Sequence, residues 1–238
     1  AESVEKLVFC AQKGIPVTYC PSPNMGAAGP VTMAGAIALA NAETLAGLTI
    51  AQLVNPGTPY LYGANVSSLE MRTSVTPYGS PEWPLSMGAL TEIARSYGLP
   101  AWGFSGSTDS KVVDAQAGLE AMLSTYTAFM SRTCLNHDVG YLETGLTSSM
   151  EMITMVDEII SMLRFSTAGI QVNESTLALD AIDRVKPGAG FLADPHTMKN
   201  WRSSIYLPTV LDRQRFESWE KSGRLNMHQR LNKKVKNI

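Results

Sequence analysis

Leu99-Pro-Ala-Trp-Gly-Phe-Ser-Gly106, Ser107-Thr-Asp-Ser-Lys-Val-Val113 and Asp114-Ala-Gln-Ala-Gly-Leu-Glu-Ala-Met-Leu-Ser-Thr-Tyr-Thr-Ala-Phe-Met130 run on from one another, and the fold turns on them. The first segment is a short apolar run opened by Pro and closed by Gly and Ser, as in a buried parallel strand. The last spaces Leu119, Met122, Leu123, Tyr126 and Met130 at helical intervals, which predicts an amphipathic helix with that stripe against the strand. Between them a polar loop holds Asp109 and Lys111. Loops at the carboxyl ends of parallel strands are where α/β folds place their chemistry.

The same unit recurs. Strands are expected from Ile15 to Cys20, Tyr60 to Asn65 and Cys134 to Gly140, each with a helix after it. The first of these helices runs from Thr32, a candidate N-cap, to Leu53. The second spans Pro81 to Tyr97, with Gly98 as its C-cap. The third follows Ser148-x-x-Glu151, a capping-box pattern, with Met152, Met155, Ile159 and Leu163 as its stripe. A helix from Glu2 to Lys13, stopped by Gly14, precedes the first strand. Beyond Gly169 the rhythm changes. Glu174 to Val185 reads as one helix, Asp194 caps a short helix with Pro195 at its first position, and Pro208 restarts a final basic helix.

Four strand–helix units predict a parallel sheet. Two closures compete: a small doubly wound sheet, or four units of a (β/α)8 TIM barrel. A leading helix, and a chain that begins at Ala1 inside a helical pattern, favour half a barrel. Residues 1–170 are then half of a barrel, and residues 171–238 a C-terminal helical extension that wraps the preceding layers.

Hydrophobic content of 45% against 17% charged describes a large core and little disorder. No apolar run reaches the length expected of a membrane span, and no signal peptide is expected at the start of the chain. Cys10, Cys20 and Cys134 form no disulfide framework, so a reducing cytoplasm is expected. The net charge of −2 is unevenly placed: residues 213–238 carry eight Lys and Arg against two Glu, a local +6. No aromatic-interleaved groove accompanies that tail, so it reads as a solvated helical terminus and not as a nucleic-acid site.

There is no Walker A pattern, no Gly-x-Gly-x-x-Gly after a strand and no His-Glu-x-x-His. Cys134 and His137 stand an odd number of residues apart on a strand, hence on opposite faces, and no metal site is expected. Gly103-Phe-Ser-Gly-Ser107 is a near miss of the nucleophile elbow, lacking the last Gly and the helix that should follow at once. The positive signal is aromatic. Tyr19, Tyr60, Tyr62, Trp102 and Phe104 lie on expected strands or their ends, and Trp83 lies just after a loop. Rings at a barrel mouth can cage a quaternary ammonium by cation–π attraction. Glu70, Asp109, Asp138 and Glu143, with Arg72 and His137, share that rim.

Several segments together are specific. They are Asn24-Met-Gly-Ala-Ala-Gly-Pro-Val-Thr-Met-Ala-Gly35, Asn55-Pro-Gly-Thr-Pro59, Met71-Arg-Thr73, Tyr78-Gly-Ser-Pro-Glu82, Asp109-Ser-Lys-Val-Val-Asp-Ala-Gln-Ala-Gly-Leu-Glu120, His137-Asp-Val-Gly-Tyr-Leu-Glu-Thr-Gly145 and Phe191-Leu-Ala-Asp-Pro-His-Thr197, with Arg202, Pro208, Asp212-Arg213 and Trp219 in the tail. On these residues the chain resembles the C-terminal half of the trimethylamine:corrinoid methyltransferase family, which includes the non-pyrrolysine glycine betaine methyltransferases. The resemblance implies a TIM barrel whose mouth binds a methylated amine and docks a separate corrinoid protein. The cofactor would be a corrinoid (cobalamin) carried by that partner, with none bound covalently here. Pyrrolysine members carry that residue in the loop matching Tyr78 to Glu82. Here the stretch is standard and holds Pro81, which points to a quaternary amine such as glycine betaine.

The implied catalytic residues are His137, Glu143 and Asp109, shaping polarity and hydrogen bonds. The implied substrate-binding residues are Tyr60, Tyr62, Trp102, Phe104, Tyr19 and Arg72. A homo-oligomer is expected, without nucleic acid or membrane. The alternatives are a non-catalytic barrel fragment that holds quaternary amines and, more distantly, an α/β-hydrolase with Ser105, Asp138 and His196.

Overall fold

The computed structural model describes residues 2–238. Its elements are α1 (Glu2–Gln12), β1 (Val17–Tyr19), β2 (Asn24–Met25), α2 (Met33–Val54), β3 (Tyr60–Tyr62), β4 (Ser67–Ser68), α3 (Glu82–Ser96), β5 (Trp102–Phe104), α4 (Ala115–Ser131), β6 (Leu135–His137), β7 (Tyr141–Leu142), β8 (Thr147–Ser148), α5 (Met150–Thr167), α6 (Glu174–Leu177), α7 (Leu179–Val185), α8 (Pro195–Ser204), α9 (Phe216–Lys221) and α10 (Met227–Val235). Two compact units result, one of residues through Val156 together with His228–Ile238, the other Asp157–Met227.

In the first unit the four expected strands form, each only three residues long. β1 pairs with β3 in parallel, Val17 opposite Tyr60 and Tyr19 opposite Tyr62. β5 pairs with β6 in parallel, Trp102 opposite Leu135 and Phe104 opposite His137. A single parallel bridge, Tyr62 to Ala101, joins the pairs, and the Tyr62 N–H donates to the Pro100 carbonyl at 2.9 Å. Consecutive strands therefore lie side by side. β2 and β4 prolong the first pair, and β7 and β8 form a short antiparallel hairpin. The architecture is mixed α/β with short strands and long helices.

Helix α2 shows how the layers fit. Ala36, Ala40, Thr44, Gly47 and Ala51 recur every three or four residues and are buried, a seam of small side chains on one face. That seam lets the helix approach the strand tyrosines. The Tyr60 hydroxyl donates to the Thr44 carbonyl at 2.9 Å, and the Tyr62 hydroxyl to Asn41 Oδ1 at 2.8 Å. A Cβ on Gly47 would come within 2.4 Å of the Tyr19 ring. With 22 residues and a mean hydropathy of 1.4 over its most apolar window, α2 is also long and apolar enough to cross a membrane by length and composition. That corrects the expectation that no apolar run has that length. Thr32 does precede the helix, but its side chain makes no capping bond.

Helix α4 reverses the expected stripe. Leu119, Leu123, Tyr126 and Met130 are exposed, Leu119 by 74%, while Ala117, Ala121, Ser124, Thr125 and Ala128 are buried. The reason is space. Gly106 leaves its backbone bare beside the helix, and its N–H donates to Ser124 Oγ at 3.1 Å. Only a small side chain permits that approach, so the large apolar residues turn outward. Asp114 caps α4 by accepting from the Ala117 N–H at 3.0 Å. At α5 the cap is Ser149, which accepts from the Met152 N–H, because Ser148 is spent in β8. Met152, Met155 and Val156 are buried as the stripe predicts.

In the second unit Ile159 and Leu163 continue the buried stripe of α5. The single helix expected over 174–185 is two, α6 and α7, broken at Ala178 in the left-handed region (φ 50°). Asp194 does cap α8 behind Pro195, and Arg184 grips the same carboxylate through two bonds of 3.0 and 2.9 Å. The final basic helix is likewise two, α9 and α10, parted at Gly223 (φ 103°) and Arg224 (φ 55°). From His228 onward α10 belongs to the first unit, where Leu231 is fully buried and Asn232 donates to Glu151 Oε1 at 2.8 Å.

Candidate functional site

The register assigns the strand side chains to two faces, since parallel partners point the same way and neighbours alternate. Val17, Tyr19, Tyr60, Tyr62, Ala101 and Gly103 share the face covered by the helices. Thr18, Leu61, Trp102, Phe104, Leu135 and His137 share the other. Tyr19, Tyr60 and Tyr62, expected to wall a cage together with Trp102 and Phe104, are therefore helix-packing residues. Burial raises the Tyr60 phenol above its ordinary pKa, with smaller contributions from Tyr19, Tyr62 and Cys20.

The opposite face carries a continuous aromatic cluster. The Trp102 and His137 rings stack at 3.9 Å, tilted by 9°. Phe104 meets His137 edge-on at 6.0 Å and stacks on Trp83, brought in by the first turn of α3, at 4.2 Å. Tyr78 stands edge-on to both, 4.3 Å from Trp83 and 5.3 Å from Phe104. The faces of such rings are electron-rich and attract an organic cation. Two nitrogens of the cluster are buried without a partner, Trp83 Nε1 and His137 Nε2. The other His137 nitrogen, Nδ1, lies 2.5 Å from Asp138 Oδ1, a contact that orients the ring.

Loops after the strands frame this cluster. Asp109 accepts from the Tyr78 N–H at 2.6 Å and the Gly79 N–H at 2.9 Å, so both its oxygens are engaged by backbone. Burial nonetheless holds its pKa above the ordinary aspartate value, only partly offset by those two bonds. Glu120 accepts from the Asp109 N–H at 2.8 Å and from Gln116 Nε2 at 2.9 Å. In the stretch after β6, Asp138, Glu143 and Thr144 all adopt left-handed backbone (φ 66°, 50° and 55°), strain of the sort that collects at functional sites. Glu143 is half-buried, and two residues on, the Tyr78 ring lies against Gly145. The Cys20 thiol, at the end of β1, is pushed up to about 11 by burial and by Asp138.

The structure thus brings together Trp102, Phe104 and His137, with Asp109 attached through the Tyr78 loop and Glu143 on the adjoining turn. Arg72 stands apart. It grips Glu70 through two bonds of 2.9 and 3.1 Å in an exposed turn, holding the Glu70 carboxyl at about 2. Ser105 lies on no elbow, because α4 begins only at Ala115. Among the described residues no three His, Cys, Asp or Glu side chains gather as a metal site. Tyr78 and Trp83 were not among the expected site residues. Trp83 counted only in the aromatic signal, and Tyr78 only in the Tyr78-Gly-Ser-Pro-Glu82 motif, which sits beside the strands in space but not in sequence.

Comparison with known proteins gives the family. The model of the family described as "Trimethylamine methyltransferase (MTTB)" matches residues 1–238. The chain belongs to the trimethylamine methyltransferase family. It is 38% identical over 216 residues to the glycine betaine methyltransferase of Desulfitobacterium hafniense strain Y51, a match covering 90% of this chain and 45% of that protein. It is 34% identical over 231 residues to the trimethylamine methyltransferase MttB of Methanosarcina barkeri strain Fusaro, covering 96% of this chain and 46% of that one. The chain spans about half the length of the curated relatives it matches.

Proposed function

We propose that the chain is the C-terminal half of a methyltransferase that moves a methyl group from a quaternary amine, glycine betaine-like, to a corrinoid carried by a separate protein. The observation that carries this reading is the aromatic cluster of Trp83, Tyr78, Phe104 and His137 at the carboxyl ends of β5 and β6, with Trp102, from the start of β5, stacked on His137. A quaternary ammonium needs no general acid. Its N–CH3 bond breaks with the electron pair retained on nitrogen, and the amine leaves neutral. Accordingly the residues on hand are rings and oriented polar groups rather than proton donors. The corrinoid supplies the metal nucleophile that accepts the methyl. The rings orient the cation and exclude water.

The same reading takes residues 1–170 as four units of a (β/α)8 barrel and residues 171–238 as a helical extension. Strand order supports the barrel: β1, β3, β5 and β6 are neighbours in chain order, whereas a doubly wound sheet reverses its order at a switch point. Homo-oligomerisation belongs to the reading, as does a cytoplasmic location, which suits three free thiols. The test is calorimetry with glycine betaine and its uncharged carbon analogue, followed by a methyl-transfer assay with reduced corrinoid protein, on the chain completed by its upstream reading frame. Selective binding with transfer supports the proposal. Binding without transfer makes the protein an amine-binding module, and equal binding of both ligands removes the cation site.

A further inference from the structure

Asp109 was expected at the reacting centre, yet both of its carboxylate oxygens are occupied by the backbone N–H groups of Tyr78 and Gly79. Those two bonds fix where the Tyr78 ring stands. The ring closes the cluster on one side, edge-on to Trp83 and Phe104 at once. Behind Asp109, Glu120 accepts from the Asp109 N–H and from the Thr108 hydroxyl, at 2.8 and 2.5 Å. Glu120 also occupies the place a side chain at position 79 would take, since a Cβ there would meet its carboxylate. Residue 79 is glycine for that reason, and the loop lies flat against the two carboxylates. On the far side, Gly145 makes room for the same Tyr78 ring, 2.9 Å from where a Cβ would sit.

We propose that Asp109, set by Glu120, is a positioning residue: it holds Tyr78 as a wall of the amine site and thereby governs how tightly the cation is enclosed. The carboxylate touches no ligand and acts only through the loop it grips. This rests on the reading of the cluster as an amine site, and the experiment separates the two.

The experiment uses the complete protein with 3-fluorotyrosine at position 78, followed by fluorine NMR, and calorimetry with glycine betaine. Asp109→Asn keeps the shape and one acceptor oxygen, but turns an NH2 toward a backbone donor. It is expected to shift the Tyr78 fluorine resonance and weaken glycine betaine about tenfold, as losing one cation–π wall would. Tyr78→Leu should weaken it similarly, and the double variant no further. Losses that multiply in the double variant would mean that Asp109 meets the ligand directly, and would overturn the proposal. An unmoved fluorine signal would overturn it as well. If Asp109→Asn does not fold, Glu120→Gln gives the same two readouts. A shifted signal in a protein that never binds glycine betaine would keep the positioning role and discard the amine site.

Discussion

Tyr60 and Trp102 stand on neighbouring strands, and one residue of register puts them on opposite faces. The consequence is measurable. Trp102→Leu should weaken glycine betaine binding by about 0.5–2 kcal/mol and leave the uncharged analogue unaffected. Tyr60→Phe should leave both ligands alone and cost about 0.5–1.5 kcal/mol of stability, the worth of the bond to the Thr44 carbonyl, read from denaturant melts. Asp109 gives a pH signature. Its pKa is raised, mainly by burial, so its ionised form is the disfavoured one in the fold. The stability it contributes is present below the unfolded aspartate value and is lost as pH rises through the raised one. Asp109→Asn, which cannot titrate, should remove this pH dependence, read from denaturant melts across the acid range. Betaine affinity should move the other way, falling as pH drops through the raised value, because a protonated carboxyl can no longer accept both N–H groups.

Among the elements, α4 carries the clearest lesson about packing. Its outward stripe of Leu119, Leu123, Tyr126 and Met130 contributes little to the fold of this unit. Leu119→Gln should change unfolding free energy by less than about 0.5 kcal/mol. Ala121→Leu, apolar but on the buried small-residue seam, should cost about 1–3 kcal/mol by overpacking. In α5, Glu158 is buried and accepts from the Tyr206 hydroxyl at 2.7 Å, the Thr209 hydroxyl at 2.6 Å and the Thr209 and Val210 N–H groups at 3.0 Å each. Burial alone would raise its pKa, but these bonds outweigh it and hold the value below the ordinary one. Its contribution is present above the unfolded glutamate value and lost as pH falls through the lowered one. Glu158→Gln should cost about 1–3 kcal/mol at neutral pH, with the gap to wild type closing in acid.

At the scale of the molecule, β1 and β6 each pair on one side only among the described residues. Strands left open in this way, beside the exposed stripe of α4, favour association. The chain alone is expected to sediment as concentration-dependent oligomers. A single monomer species at every concentration, melting cooperatively, would mean that these edges are stable as they stand.

What was legible in the sequence was local. The four strand–helix units, Gly14 and Gly98 as helix stops, Asp194 before Pro195, and the family motifs all rest on signals carried within a few residues. Backbone sterics and capping bonds act at that range. The alternation of side chains along a strand is equally local, so Trp102 and Phe104 could be paired with each other, as could Tyr60 and Tyr62. Which face each pair takes was not local. It depends on the register between strands, set at the Tyr62–Ala101 bridge, and on the small-residue seam of α2 drawing the tyrosine hydroxyls to itself. The reversed stripe of α4 has the same origin, because a helix seated against bare glycine backbone buries its smallest side chains, whatever the hydropathy of the others. Tyr78 reached the site only because Asp109, thirty-one residues along the chain, holds its backbone there, and no local pattern encodes a bond of that span.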